Sequence, residues 1–433
     1  MMQMNKLEIK GLDLILYEET LANGLSIYVI PKESSKGIYA TFTTKFGGHD
    51  IDFIPSGKEE MVSVPPGIAH FLEHKMFEQE SGEDVMSLFS KNGVSCNANT
   101  SSYKTCYLFD GSSHFDENIN LLLDYVQQPY FTDENVEKEK HIIEQEIDMT
   151  ADNPYSIGYF HLMENMFVCD PSRIRVIGSK ESVQSITKED LYTCYETFYH
   201  PGNMFVIVTG NVDPEKTIEL IRKNQEKKTF KEFKKPILKQ YDEPVTVLKK
   251  EDYIEMNITV PKLTMGFKFD LRKLEKELKL DEATIRRYVA IYANLKFGSV
   301  SLFLENAKQE ELTTSDMDYS LYATDDILLL ILEGDSKNTI SLKERILEEV
   351  KNKKIEKREF ELKKRGMIAT CIYTSENIYS MNQKVLGDII SLGNVEVDLL
   401  ENYKKLNYED FLKVVQTLDF TNYSFVTVNP KKK

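Results

Sequence analysis

Two hydrophobic rhythms alternate along this chain. One has period two, as in a strand with one covered face. The other recurs at three and four residues, as on one side of a helix. Residues 25–30 and 37–45 are rich in β-branched and aromatic side chains and predict an early hairpin. Gly47 and Gly48 then break the pattern. Pro65, Pro66 and Gly67 open a helix that runs to about Phe77, because a first helical turn tolerates proline's missing N–H. A second helix is predicted over 82–92, strands over 94–99 and 103–110, and helices over 116–127 and 133–148. A strand over 204–210 ends this first series.

Residues 222–243 are dense in lysine and keep no apolar period, with Pro236 inside and Pro244 just beyond, so they read as a linker. Past them the series recurs in weaker form. Residues 253–269 resemble the first strands, 327–333 the strand at 103–110, and 342–351 the helix ending at 127. The helix with Glu359 and Glu361 matches the one with Glu137 and Glu139, and a strand over 423–428 matches 204–210. The offset stays near 220 residues, far above the roughly 20–50 of a solenoid repeat. The pattern predicts an α+β fold made of a duplicated unit, each copy a sheet with its helices packed on one face. The first domain is expected over 1–225, a linker over 226–248 and the second domain over 249–433.

Composition narrows the function classes. Of 433 residues, 41% are hydrophobic and 11% aromatic, which supplies two cores and excludes disorder as the main state. No run of 18 apolar residues occurs, so no membrane span is expected. The start lacks the apolar core and small-residue cleavage site of a secretory signal, and a cytoplasmic location is the expectation. The formal net charge of −16 argues against nucleic acid, whose phosphates need clustered lysine and arginine. Lys431, Lys432 and Lys433 read as a solvated tail. The five cysteines, Cys96, Cys106, Cys169, Cys194 and Cys371, show no paired spacing and read as buried reduced thiols.

The chemistry gathers in the segment from Gly67 to Phe77, which holds His70, Glu73 and His74 as HxxEH. Positions i, i+3 and i+4 share one helix face. Two imidazoles there suit one divalent zinc, and a neighbouring carboxylate suits a proton acceptor beside activated water. H-x-x-E-H is a signature of zinc proteases. Two histidines four apart also occur as a surface pair or as core residues, so the metal reading needs a third ligand. On a helix from Val136, residues Val136, Ile142, Ile143, Ile147 and Met149 form an apolar arc, with Glu137, Glu144, Asp148 and His141 towards solvent. Glu139 and Glu146 fall inside the arc, seven residues apart. Buried carboxylates are costly unless paired with lysine or arginine or bound to a cation. The upstream histidine pair favours the cation.

These residues resemble the pitrilysin-type zinc peptidases, which include insulin-degrading enzyme and the mitochondrial processing peptidase. That pattern is HxxEH, then a glutamate some seventy residues on, with another glutamate seven before it. Here Glu146 follows His74 by 72 positions, and Glu139 sits seven before it. The resemblance implies His70, His74 and Glu146 as ligands of one zinc ion per chain, Glu73 as general base, and Glu139 as a carboxylate orienting a ligand. It implies two α/β-roll halves with mainly antiparallel sheets. Asn97, Ala98 and Thr100, after Asn92-Gly93, look like the family's edge strand, and so imply Asn97 and Ala98 as substrate-binding residues where a peptide adds as a strand. The segments Asp152-Asn153-Pro154, Tyr199-His200-Pro201 and Gly210-Asn211-Val212-Asp213 are also family-like. His49, His114, His161 and His200 show no ligand spacing.

The resemblance also has a gap. The family's second half, or a partner chain, supplies an arginine and a tyrosine seven apart, after a Leu-Phe. Here Leu302-Phe303 lead to Ala307 and Thr314, and Tyr319 and Tyr322 lie out of register. The implied function is a zinc-dependent endopeptidase that cleaves peptides or unfolded segments in a chamber, by Glu-assisted attack of zinc-bound water. The gap implies a homologous partner subunit supplying arginine and tyrosine in a heterodimer, with a homodimer as the other arrangement. A non-catalytic assembly or peptide-binding subunit of the same fold is the competing reading.

Overall fold

In the computed structural model of the chain, which describes residues 4–431, two compact units form. Lys432 and Lys433 of the expected tail lie outside the described residues. The first unit comprises Met1–Ile147, Ile174–Gln240 and Cys371–Leu400, and the second comprises Asp148–Arg173, Tyr241–Thr370 and Glu401–Lys433.

The first unit is built on β1 (Asn5–Ile9), β2 (Leu14–Thr20), β3 (Ser26–Pro31), β4 (Ile38–Thr44), two short strands β5 (Asp52–Ile54) and β6 (Val62–Ser63), β7 (Val94–Thr100), β8 (Thr105–Gly111), β9 (Met204–Gly210) and the short β10 (Ile237–Leu238). Seven of these make one sheet in the order β1-β2-β3-β9-β4-β8-β7, with β3 parallel to β9 and every other pair antiparallel. The expected early hairpin is therefore corrected: β3 and β4 are not neighbours, because β9 lies between them. β4 and β9 are buried at all seven positions each. A strand that apolar needs neighbours and cover on both sides, so β9 takes the centre.

One face of this sheet packs against helices, through Phe42, Val206 and Val208 with Phe71, Leu72, Leu122, Leu191 and Ile218. The opposite face is covered by the helix Ile378–Leu392, through Met381, Val385, Leu386 and Ile389 against Leu16, Tyr28 and Ile207. Asn382 pins that helix down. Fully buried, it accepts from Thr41 Oγ1 at 3.1 Å and donates to Ile207 O at 3.2 Å.

The second unit carries β11 (Glu251–Met256), β12 (Lys262–Asp270), β13 (Asp318–Ala323), β14 (Ile327–Asp335) and β15 (Tyr423–Pro430) in the order β11-β15-β12-β14-β13. β11 is parallel to β15, and the other pairs are antiparallel. This is the order and direction of β3-β9-β4-β8-β7, strand for strand, which is the duplication expected from the sequence. The helix Pro154–Met166 covers one face of this sheet, with Leu162, Met163 and Met166 against Ile327, Leu329 and Ile331. Glycine allows the approach, since a Cβ on Gly158 would meet Thr264 Oγ1 at 2.6 Å. Each unit thus buries one face under its own helices and the other under a helix from the opposite half of the sequence.

The lysine-rich stretch is not featureless. The helix Pro214–Glu226 runs into its start. At its far end Glu243 is buried, accepting N–H groups of Val168, Cys169 and Asp170 at 2.9 Å and pairing with buried Lys268 at 2.8 Å. No helix among the described residues is long and apolar enough to cross a membrane.

Candidate metal centre

The HxxEH segment forms the helix Ile68–Met76. Gly67 begins it at φ 96, and a Cβ there would sit 2.7 Å from Ile177 O, so glycine is required. Ile68, Phe71, Leu72 and Met76 bury one side in the first core. That burial fixes the rotation of the helix and sets His70 and His74 on its flank, with ring centroids 4.6 Å apart. Lys75 is fully buried on this helix, pairs with Glu78 and donates to Asn135 O at 3.2 Å.

Asn135 lies in the first turn of the helix Asp133–Ala151, where Thr132 and Asn135 exchange backbone-to-side-chain hydrogen bonds of 2.9 and 3.1 Å. Val136, Lys140, Ile143 and Ile147 face the interior. The expected arc needs correction: Ile142 and Met149 are 44% and 67% exposed. They stand more than 90° from the line of Val136, Ile143 and Ile147, and the helix packs along that line. Glu139 and Glu146 fall between the buried stripe and these exposed residues, on the margin of the core.

There they meet the histidines. His70 Nε2 lies 3.6 Å from Glu146 Oε1, and His74 Nε2 lies 3.5 Å from Glu146 Oε2. One nitrogen from each histidine and one oxygen of Glu146 all lie within 4.8 Å of one another. Two ligand atoms about 2.0–2.1 Å from a shared zinc in a tetrahedron stand roughly 3.4 Å apart. The donor set and spacing therefore fit a zinc ion. His74 Nδ1 is 2.9 Å from Glu139 Oε1, so a proton on Nδ1 bonds to Glu139 and leaves the Nε2 lone pair facing Glu146. Buried Glu73 accepts from Thr100 Oγ1, at the end of β7.

The charges respond to one another. Burial lowers the His74 pKa, but the Glu139 hydrogen bond and the charges of Glu73 and Glu146 outweigh it and raise it overall. The nearness of His70 chiefly holds Glu146 below the usual carboxylate range. At 3.6 Å this is charge attraction rather than a formed hydrogen bond. Without a cation, protons are drawn among these ligands, so a metal entering the site displaces them.

β7 is the outer strand of its sheet and, among the described residues, pairs only with β8. Asn97 is exposed, and its Oδ1 accepts the N–H of Ala98 at 2.8 Å. Asn153 caps the helix Pro154–Met166, accepting the N–H groups of Tyr155 and Ser156. Ala307 is buried in the helix Leu302–Gln309. Tyr319 accepts from Asn294 at 2.8 Å, and Tyr322 donates to Ser172 at 2.8 Å. His49 lies against Tyr103, His114 against Asn92 O, His161 against Asp252 and His200 against Lys231 O. Two residues of the site carried no role in the sequence reading. Thr100 was seen only as part of an edge strand. Lys75 had one signal, a charged position next to the metal pattern in an otherwise apolar helix.

The chain is similar to known zinc proteases in sequence and in fold. The insulinase (peptidase family M16) model matches residues 54–180, and the peptidase M16 inactive-domain model matches residues 185–367. An uncharacterized zinc protease of Bacillus subtilis, YmfH, is 48% identical over 280 residues, which cover 64% of this chain and 65% of that protein. The zinc protease PqqE of Helicobacter pylori is 27% identical over 48% of this chain and 46% of its own length. The chain thus spans less than two thirds of the length of these curated relatives. Among solved structures, a putative M16-like peptidase from Alicyclobacillus acidocaldarius superposes with a TM-score of 0.88 at 29% identity, covering 96% of this chain and 99% of that one. A Helicobacter pylori protease shares the fold, with a TM-score of 0.79 at 20% identity, covering 95% of this chain and 99% of that chain.

Proposed function

Since the chain belongs to the insulinase (M16) peptidase family, we propose that it is a zinc-dependent endopeptidase acting on peptides or unfolded segments. One observation carries this reading: His70, His74 and Glu146 converge within 4.8 Å, with Glu73 on the same helix face. In this reading residues 1–225 form the metal-binding domain, 226–248 a linker, and 249–433 a homologous domain without ligands. The three residues hold one zinc ion per chain. Bound zinc supplies the Lewis acidity that makes water a nucleophile at neutral pH.

This chain's own groups do the rest. Glu73 takes the proton from the attacking water and hands it to the leaving amine. Glu139 keeps His74 in the tautomer whose Nε2 is free. A substrate strand pairs with the free edge of β7, beside Asn97 and Ala98, so main-chain hydrogen bonds set its register.

A carbonyl turning into an oxyanion needs a positioned donor besides the cation. Buried Ala307 and exposed Thr314, where the family pattern has arginine and tyrosine, offer none. A homologous partner subunit supplies them in the proposed heterodimer. The test is chelator-sensitive cleavage of an unfolded peptide by the chain alone and with its partner. Activity restored by zinc and raised strongly by the partner is expected. Full activity of the chain alone removes the heterodimer. A zinc-replete complex without hydrolysis favours the non-catalytic assembly reading.

A further inference from the structure

We infer that Thr100 is a positioning residue for Glu73, so that the strand proposed to receive the peptide also aims the base. The inference rests on the peptidase reading for its kinetic consequence, but the contact itself stands on geometry.

Proton accounting fixes the direction of the bond. A threonine hydroxyl has one proton to give. Thr105 Oγ1 spends its proton on Phe46 O at 2.9 Å, so towards Thr100 it presents only lone pairs. Thr100 Oγ1 is 3.4 Å from Thr105 Oγ1 and far closer to Glu73 Oε2. The carboxylate is both nearer and charged, and it takes the proton. Thr100 is the only side chain among the described residues found donating to Glu73.

Glu73 needs such a partner. Its side chain has three rotatable bonds, and its charge acts on the buried hydroxyls of Tyr107 and Tyr199, which bond to each other at 2.8 Å. Threonine suits the task because its branched Cβ limits χ1, so the strand backbone dictates where the hydroxyl points. Thr100 and Thr105 form the last pair of the β7–β8 ladder. The last pair of the matching β13–β14 ladder is Ala323 and Leu328, with no hydroxyl and no base to hold.

The experiment compares the zinc-loaded wild type with Thr100→Val and Thr100→Ser, by crystal structure and by peptide hydrolysis. In Thr100→Val, Glu73 is expected to turn from its wild-type position, kcat to fall about 10- to 100-fold as for a misplaced catalytic group, and KM and zinc content to stay within twofold. Thr100→Ser should restore both the position and most of kcat. An unmoved Glu73 in Thr100→Val overturns the inference whatever the turnover, and so does an unchanged kcat in an active enzyme. A wild type that never hydrolyses peptide, with Glu73 displaced in Thr100→Val, sinks the peptidase reading and upholds the contact.

Discussion

The two units share one five-stranded plan and differ in what their polar residues do. β3-β9-β4-β8-β7 and β11-β15-β12-β14-β13 repeat each other in order and direction. In the first unit, His70, His74, Glu73, Glu139 and Glu146 meet at one place, while buried Glu19 and Asp388 pair with Arg222 and Lys384. In the second, the most enclosed charge is the Lys268–Glu243 pair, whose side chains are 0% and 2% exposed, and it ties chain segments together. All seven histidines precede residue 201. A strand plan written in apolar residues survived duplication, whereas the proposed chemistry rests on a few polar positions on helix flanks that one copy has and the other lacks.

Substitutions sharpen or break this contrast. Glu73→Gln should cost the most, about 100- to 10,000-fold in turnover, with zinc still bound. A variant that keeps hydrolysing peptide at the wild-type rate removes Glu73 from its role. Lys268→Met leaves Glu243 buried without its cation and should destabilise the second unit by about 3–5 kcal/mol. Zinc content should not change, which urea unfolding and metal analysis together check. Glu139→Gln frees the His74 tautomer, and zinc affinity should drop about 10- to 100-fold. Competition with a fluorescent chelator measures it, and an unchanged affinity would leave Glu139 no orienting part.

The smallest effect concerns Asp50, whose carboxyl accepts the Gly47 N–H at 2.8 Å. Burial raises its pKa from 3.8 to about 6. The folded state therefore holds this proton more tightly than the unfolded one. The group's contribution to stability is greatest below pH 3.8, falls as pH rises to about 6, and is flat beyond. Asp50→Asn should remove that slope and gain about 1 kcal/mol at pH 7, less than the full charge penalty because a buried amide also needs partners. Equal slopes in both proteins between pH 4 and 6 would contradict it.

Much of this was legible in the sequence. The strand at 204–210 appears with its expected limits, and the HxxEH helix falls within three residues of its expected ends. Helical period picked out the pair Glu139 and Glu146, because they share one side of their helix, and the family resemblance named Glu146 as the proposed third ligand. Ile142 and Met149 misled the arc, since period alone marks apolar residues without saying which of two adjacent stripes is buried. β1, β2 and β13 were missed. Asn5–Ile9 is mostly exposed and Asp318–Ala323 alternates only weakly, because outer strands need little apolar content. The crossing of β9 between β3 and β4, and the exchange of one helix between the halves, are long-range pairings that no local pattern states. The Thr100–Glu73 contact has the same origin, joining a strand end and a helix 27 residues apart.

Zinc content per chain tests the central claim most directly, measured by native mass spectrometry on the wild type, His74→Ala, Glu146→Gln and a second-unit control, Lys262→Ala. One zinc in the wild type and in the control, and none in the two ligand variants with the fold intact, is the predicted result. Zinc retained in both ligand variants, or none in a folded wild type purified without chelator, would contradict a metal centre built by the first copy alone.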